Sequence, residues 1–397
     1  MGGAASEHDV ASGKAAMPLP VELRFAQREL EESDMPRAAV VYQKDQPMKV
    51  EEVVLRPITD HEVLLGVKAC GVCHSDLSAL NEFFACPTPV VLGHEAAGVI
   101  EAVGSAVTGL EVGDHVVAAW SPSCGQCRFC KGGRRHLCNL ADDPTSRAMD
   151  RVTAAGVPVA SFLGVGGFAE KVILADNAVI KIDKSMPFDR AALLGCAVIT
   201  GYGAAIHAAK VKKGDDVAVF GCGGVGLNIV QGARLAGAGL IVAVDLDDAK
   251  LEMARKFGAT HTLRGDMPDL HKALRALTRE RAGLDFAFEA VGNAEVARVA
   301  FLSIAKGGEV ILVGIAHMKE KVSLSQIAAV TQEKGMRGTT NGSADSWATV
   351  PLLIELYRKK ELMLDELVSR TYTLDEINEA VADLRSGRNA RGVVVMG

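Results

Sequence analysis

Apolar and polar positions follow two different rhythms along this chain. From Arg37 onward short β-branched runs at residues 38–41, 51–55 and 62–67 are separated by Pro, Asp and Gly, the punctuation of antiparallel strands. Runs at 90–92, 96–100 and 115–118 continue the pattern, and turn-rich strands of this kind close into a barrel. After Thr200 strand and helix alternate. Strand patterns at 216–220, 241–244, 286–288 and 310–313 are interleaved with helical patterns at 225–236, 249–257 and 294–305. That alternation predicts a parallel sheet with helices on both faces. Residues 349–356 read as a helix, and residues 392–395 as a strand that returns to the first domain, so that the second domain is an insertion.

Between the two rhythms lies a Cys-rich lobe, residues 124–138, followed by a polar loop predicted over 139–158. A loop of that length serves either as cover for an active site or as a surface insertion. Residues 1–35 are rich in Ala, Gly, Glu and Ser with weak apolar periodicity, and are expected to form a flexible N-terminal extension.

At 397 residues the chain is long enough for two cores, and 49% hydrophobic against 23% charged residues is a soluble globular profile. The formal charge of −6 comes with no long Lys/Arg cluster, which argues against nucleic acid or an anionic membrane as a partner. The longest uncharged run, 191–209, approaches membrane-spanning length but contains Gly195, Thr200, Gly201, Tyr202, Gly203 and His207. A buried helix is expected there. Residues 1–34 lack a basic stretch followed by an apolar run, so a cytoplasmic chain is expected. Nine Cys in that compartment speak first about metals or reactivity.

The sequence Gly221-Cys222-Gly223-Gly224-Val225-Gly226 follows a predicted strand and opens a predicted helix. In that context glycines let the backbone approach a pyrophosphate at a helix N-terminus. Asp245 ends the next strand, where a carboxylate bonds the adenosine ribose and repels a 2′-phosphate, favouring NAD over NADP. Cys222, at a variable position of the motif, reads as a packing residue.

Cys124, Cys127, Cys130 and Cys138 are spaced Cys-x2-Cys-x2-Cys-x7-Cys. Four thiolates make a closed tetrahedral zinc site of structural character, the alternative being an iron–sulfur cluster. Within Gly71-Val72-Cys73-His74-Ser75-Asp76, Cys73 reads as nucleophile, metal ligand or buried apolar residue. Gly93-His94-Glu95 offers a His near the first domain's turns. A catalytic zinc needs three N/S ligands and an open position, and spacing alone does not choose the third among Cys70, Cys86, Cys196 and Cys222.

In their order these motifs, with Leu194-Gly195-Cys196, resemble the zinc-dependent alcohol dehydrogenases of the medium-chain dehydrogenase/reductase superfamily, from about Met35 to the C-terminus. The resemblance implies an α/β protein in which a GroES-like β-rich catalytic domain (36–199 plus 340–397) carries an inserted Rossmann-fold domain (200–339). It further implies that Cys73, His94 and Cys196 hold a catalytic zinc, with Glu95 behind it as an alternate ligand, Asp76 orienting His94, and a second zinc in the four-Cys lobe. Ser75 would carry the proton outward while hydride passes to NAD. His74 and Arg391 would face the pyrophosphate, Thr200 the nicotinamide, Asp245 and Lys250 the ribose, and Gly221, Gly223, Gly224, Val225 and Gly226 the phosphate turn, with Ile315 also binding the cofactor. For His74 an exposed loop residue is the alternative.

Phe84, Trp120 and Phe162 correspond to substrate-channel positions, with core packing as the alternative. Ser78 stands where many relatives carry the His that ends the proton relay, so proton exit is expected to use water or another base. The implied activity is oxidation of a primary or aromatic alcohol to its aldehyde, by a homo-oligomer, with a dimer favoured. The alternatives are a non-catalytic nucleotide-binding homologue, or a secondary-alcohol/ketone or polyol oxidoreductase of the same superfamily.

Overall fold

A computed structural model describes residues 35–44, 46–81, 86–142 and 150–397. The N-terminal extension, Phe84 and the middle of the loop predicted over 139–158 lie outside the described residues.

Three sheets organise the described chain. In the first half, the long strand Glu62–Val72 pairs antiparallel with Glu95–Val103 on one side and, near its end, with Arg391–Val395 on the other. The C-terminal strand therefore does return to the first sheet, setting Gly392 opposite Val72, next to Cys73. A second β-sheet, containing Arg37–Val41, Lys49–Glu52 and Val90–Val91, packs beside it. The third sheet is parallel throughout, in the order His261–Arg264, Leu240–Asp245, Asp216–Phe220, Leu284–Glu289, Ile304–Leu312, Gly335–Gly338. Its central strands are buried, as expected where helices cover both faces.

Two expectations need correction. The predicted loop 139–158 contains a 3-10 turn, Asn139–Asp142, and an antiparallel hairpin, Val152–Ala154 with Val157–Ser161. The hairpin turns on Ala155 and Gly156, both at positive φ (49° and 77°), the geometry of a two-residue turn that normally signals itself with Asn or Asp first. Ala155 gives no such signal. The single buried helix expected over 191–209 is instead two helices, Phe188–Leu194 and Ala197–Gly203, bent by 47° and extended by a π turn at Ala204–Ala209. The bend falls at Gly195-Cys196. There a Cβ on Gly195 would come within 2.9 Å of the Ala118 carbonyl, so the helix end is pressed against the strand His115–Ala118. Cys196, at φ −145° and ψ −73°, leaves helical geometry and caps the second helix. No single described helix is long and apolar enough to cross a membrane, and the bent pair is largely buried core.

Candidate active site

The site begins where the long strand ends. Cys73 caps the short helix His74–Leu80, whose third residue, Asp76, is completely buried. The Cys73 N–H donates to Asp76 Oδ2 at 2.9 Å, the Gly93 N–H donates to Oδ1 at 3.0 Å, and His94 Nδ1 lies 3.2 Å from the same oxygen. Gly93 is held at φ 86°, and a Cβ there would fall 2.7 Å from the Phe168 nitrogen. Only glycine makes this turn, which swings His94 toward Asp76.

With Nδ1 committed to the carboxylate, His94 Nε2 is buried and has no hydrogen-bond partner. It faces Cys73, Glu95 and Cys196, whose ligand atoms all lie within 4.8 Å of one another and of His94. Two thiols and an imidazole are a borderline-soft donor set suited to zinc, and an orphaned buried nitrogen aimed among them is what such a site looks like. The Cys196 thiol, then the Arg391 guanidinium and His94, hold the Cys73 thiol well below its ordinary pKa despite burial. Glu95 is pushed up to about 7 by burial, against the pull of Arg391. Its Oε1 accepts from Arg391 Nη2 at 2.6 Å, and its Oε2 has no partner. The ring of Phe162 meets the His94 ring edge-on at 5.7 Å, walling one side of the cluster.

The second metal-ligating cluster is Cys124, Cys127, Cys130 and Cys138. Sulfur–sulfur distances of 3.5 Å (Cys127–Cys130), 3.5 Å (Cys124–Cys138) and 3.9 Å (Cys127–Cys138) bracket the roughly 3.8 Å edge of a tetrahedron built on Zn–S bonds of about 2.3 Å. Backbone N–H groups of Cys124, Cys127 and Leu140 point at the sulfurs. The Cys130 N–H, followed by those of Asn139 and Phe129, pulls Cys127 down to about 6, which favours the thiolate a metal requires. This set is all-sulfur and closed, whereas the first contains an orphaned nitrogen and a spare carboxylate oxygen.

The glycine motif lies at the carboxyl end of Asp216–Phe220, with Gly223 capping the helix Gly224–Ala236. Gly221 adopts φ 91°, a Cβ on Gly226 would fall 1.8 Å from the Gly221 carbonyl oxygen, and a Cβ on Gly223 would meet nothing within 4 Å. The turn is thus tight on its inner side and open at Gly223, a cradle fitted to a pyrophosphate. Val225 lies in the helix's first turn, half-buried. Asp245 accepts from the Cys222 N–H (2.7 Å) and from Leu246 (2.8 Å) and Asp247 (3.1 Å). It fixes the turn and retains little more than one free lone-pair direction for a ribose hydroxyl. Lys250 lies in the first turn of Asp248–Phe257. His74, the first residue of the helix His74–Leu80, is exposed. Partial desolvation, with Arg391 and Lys250 near it, lowers its pKa.

Arg391, expected on the pyrophosphate, spends its guanidinium elsewhere. It donates to Glu95 and to the Val72 carbonyl (3.1 Å) and reaches Cys73 Sγ at 3.9 Å. Its unpartnered Nε, with Cδ and Cζ beside it, lies against Gly224, 2.5 Å from where a Cβ would stand. Arg391 therefore couples the metal-ligand cluster to the glycine turn.

Thr200 follows Cys196 by one helical turn and is half-buried. Ile315 is 53% exposed beyond the strand Ile304–Leu312. Sequence reasoning missed its neighbour Val291, 54% exposed, which lies against Gly221 beyond the next strand's end. The signal was present, since an apolar residue just past a parallel strand's carboxyl end borders the ligand crevice. It missed also Glu289, which accepts from the N–H groups of Val291 and Gly292 and holds that loop.

Ser75 Oγ lies 3.8 Å from Cys73 Sγ. Ser78 is half-buried one turn further along the same helix. Trp120 is half-buried, with its indole Nε1 lacking a partner.

Comparison with known proteins fits this geometry. Residues 59–184 match the alcohol dehydrogenase GroES-like domain, and residues 224–358 match the zinc-binding dehydrogenase family. The chain is 38% identical over 366 residues to an NDMA-dependent alcohol dehydrogenase of Amycolatopsis methanolica, covering 90% of this chain and 98% of that protein. Among solved structures it is similar to an alcohol dehydrogenase zinc-binding domain protein from Burkholderia ambifaria (33% identity, TM-score 0.86, 91% and 99% of the two chains). It is likewise similar to benzyl alcohol dehydrogenase from Acinetobacter calcoaceticus (31% identity, TM-score 0.85, 91% and 99%).

Proposed function

Since the chain belongs to the zinc-type alcohol dehydrogenases of the medium-chain dehydrogenase/reductase superfamily, we propose that it oxidises primary or aromatic alcohols to aldehydes with NAD as hydride acceptor. The observation that carries this reading is the unpartnered Nε2 of buried His94 between the thiols of Cys73 and Cys196, one helical turn before Thr200. Zinc held there supplies Lewis-acid polarisation of a substrate oxygen, and NAD held on the glycine turn supplies the hydride acceptor.

The chain's own residues do the rest. Asp76 fixes the His94 ring so that Nε2 faces the ligand cluster. Arg391 balances thiolate charge and aligns Glu95. Ser75, with a hydroxyl that both donates and accepts, takes the substrate proton at Oγ. Half-buried Ser78 offers no base one turn beyond Ser75, so Ser75 hands a proton on to water. Phe162 supplies an aromatic wall beside His94 that favours an aromatic substrate, and the benzyl alcohol dehydrogenase relative points the same way.

Metal analysis of the purified chain, with a panel of alcohols assayed against NAD, NADP and NDMA, tests the proposal. Two zinc ions per chain, one for each cluster, and NADH formation with a benzyl-type alcohol are expected. A single zinc ion removes one of the two assignments. Turnover only when NDMA is supplied favours a second reading, that the chain shares the NDMA dependence of its 38% identical relative.

A homodimer is part of the same proposal. Among the described residues the strand Gly335–Gly338 is an open edge of the parallel sheet, and in the stretch of chain leading to it Met318, Ile327 and Val330 are 76%, 73% and 70% exposed. An unpaired edge beside apolar side chains invites a second copy. Light scattering should give a dimer for the native chain and a monomer for Ile327→Glu/Val330→Glu; a native monomer overturns this part. A cytoplasmic location completes the reading, supported by six cysteines gathered as thiols in the two ligand clusters, an arrangement that suits a reducing compartment.

A further inference from the structure

Next to Asp245 the structure sets a guanidinium that the nucleotide-binding reading does not use. Arg264 ends the outermost strand of the parallel sheet, His261–Arg264, and is the register partner of Asp245. Paired residues on neighbouring strands project to the same face, so Arg264 rises beside the carboxylate that reads the ribose. It is not free to act there. Arg264 Nε and Nη2 donate to the two oxygens of Asp266 at 3.1 and 2.8 Å, and Nη1 donates to Asp248 at 3.2 Å. All three donor nitrogens of the guanidinium are thereby engaged by carboxylates.

The three side chains are exposed, at 41% for Arg264, 57% for Asp266 and 81% for Asp248, and ion pairs of that exposure contribute little to stability. Their effect on charge is larger. Around the helix start and strand ends stand Asp245, Asp247, Asp248 and Asp266 against Lys250 and Arg264, so an approaching 2′-phosphate meets a net negative surface. An unclamped arginine at this edge is what accommodates a 2′-phosphate in nucleotide-binding folds of this type, and the bidentate fork that now grips Asp266 is the one that would grip a phosphate.

We infer that Asp248 and Asp266 set the nucleotide preference of this chain by withholding Arg264 from a 2′-phosphate, so that selectivity against NADP is built from a clamped guanidinium as well as from Asp245. The inference rests on the proposal that the glycine turn binds a nicotinamide dinucleotide. Asp247, not Asp248, caps the helix, so neutralising the clamp leaves the helix start intact. It also brings the local charge to balance.

The test is calorimetric titration of the zinc-loaded full-length chain with NADH and NADPH, for the native protein, Asp248→Asn/Asp266→Asn, and the same pair with Arg264→Ala. The double variant should shift the ratio of the two affinities toward NADPH by about tenfold or more, and adding Arg264→Ala should remove that gain. An unchanged ratio overturns the inference. A gain that persists without Arg264 also overturns it, since bulk charge would then be responsible. A native chain that binds neither nucleotide fails at the earlier step and overturns the nucleotide reading together with this one.

Discussion

Cys196→Ala should lose alcohol turnover by about a thousandfold or more while the chain stays folded and keeps one zinc ion. The expectation follows from what the thiol touches. Cys196 begins the second of two bent buried helices, and its sulfur joins Cys73, His94 and Glu95 within 4.8 Å. Removing it leaves one thiol, one imidazole and the Glu95 carboxylate, one of whose oxygens Arg391 holds, a harder and weaker set than the three N/S ligands of a catalytic zinc. It also removes the largest of the influences that lower the pKa of the Cys73 thiol, leaving only Arg391 and His94 to oppose burial. The structural cost is small, because one buried sulfur is traded for a small void, about 1 kcal/mol. The four-Cys cluster shares no ligand with this site, so its zinc should remain. Metal content and kcat, measured on the same preparation with a thermal melt, separate the outcomes. Two retained zinc ions with near-native turnover would remove Cys196 from the ligand set.

What could be read from the sequence, and what could not, divides along physical lines. The strands at 216–220 and 241–244 were legible because buried parallel strands are continuous apolar runs. The glycine turn and the four-Cys spacing were legible because each is a local device whose chemistry depends on residues a few positions apart. The bend at Gly195-Cys196 was hidden, since residues 191–209 form one uncharged run and the carbonyl that presses on Gly195 belongs to Ala118. The destination of Arg391 was hidden for the same reason, its partners Val72 and Glu95 lying about 300 residues away in sequence. Spacing left the third ligand beside Cys73 and His94 undecided, and the choice of Cys196 came from resemblance alone. In space that thiol is brought in by a kink that no local pattern announces.

Asp76→Asn should weaken zinc binding at the first cluster by about 10–100-fold and lower stability by roughly 1–3 kcal/mol, with turnover partly restored by added zinc. The substitution keeps size and shape, so its effect isolates hydrogen-bond polarity. The native carboxylate, fully buried, only accepts: Oδ2 from Cys73 N–H, and Oδ1 from Gly93 N–H and His94 Nδ1. An amide has one acceptor oxygen and one donor group. If its nitrogen takes the Oδ2 position, two N–H groups face each other at Cys73, and the residue that caps the helix and carries a ligand thiol is left with an unsatisfied buried donor. If it takes the Oδ1 position, Gly93 loses its acceptor and His94 Nδ1 must itself accept. The ring proton then moves to Nε2, the atom that has to be bare to bind a metal. Either orientation impairs a ligand without deleting one, so the loss is graded where that of Cys196→Ala is complete. Competition against a chelator, read beside kcat at rising zinc concentration, distinguishes the two cases. A variant with native zinc affinity would mean that the His94 ring is held by its packing against Phe162 and not by Asp76.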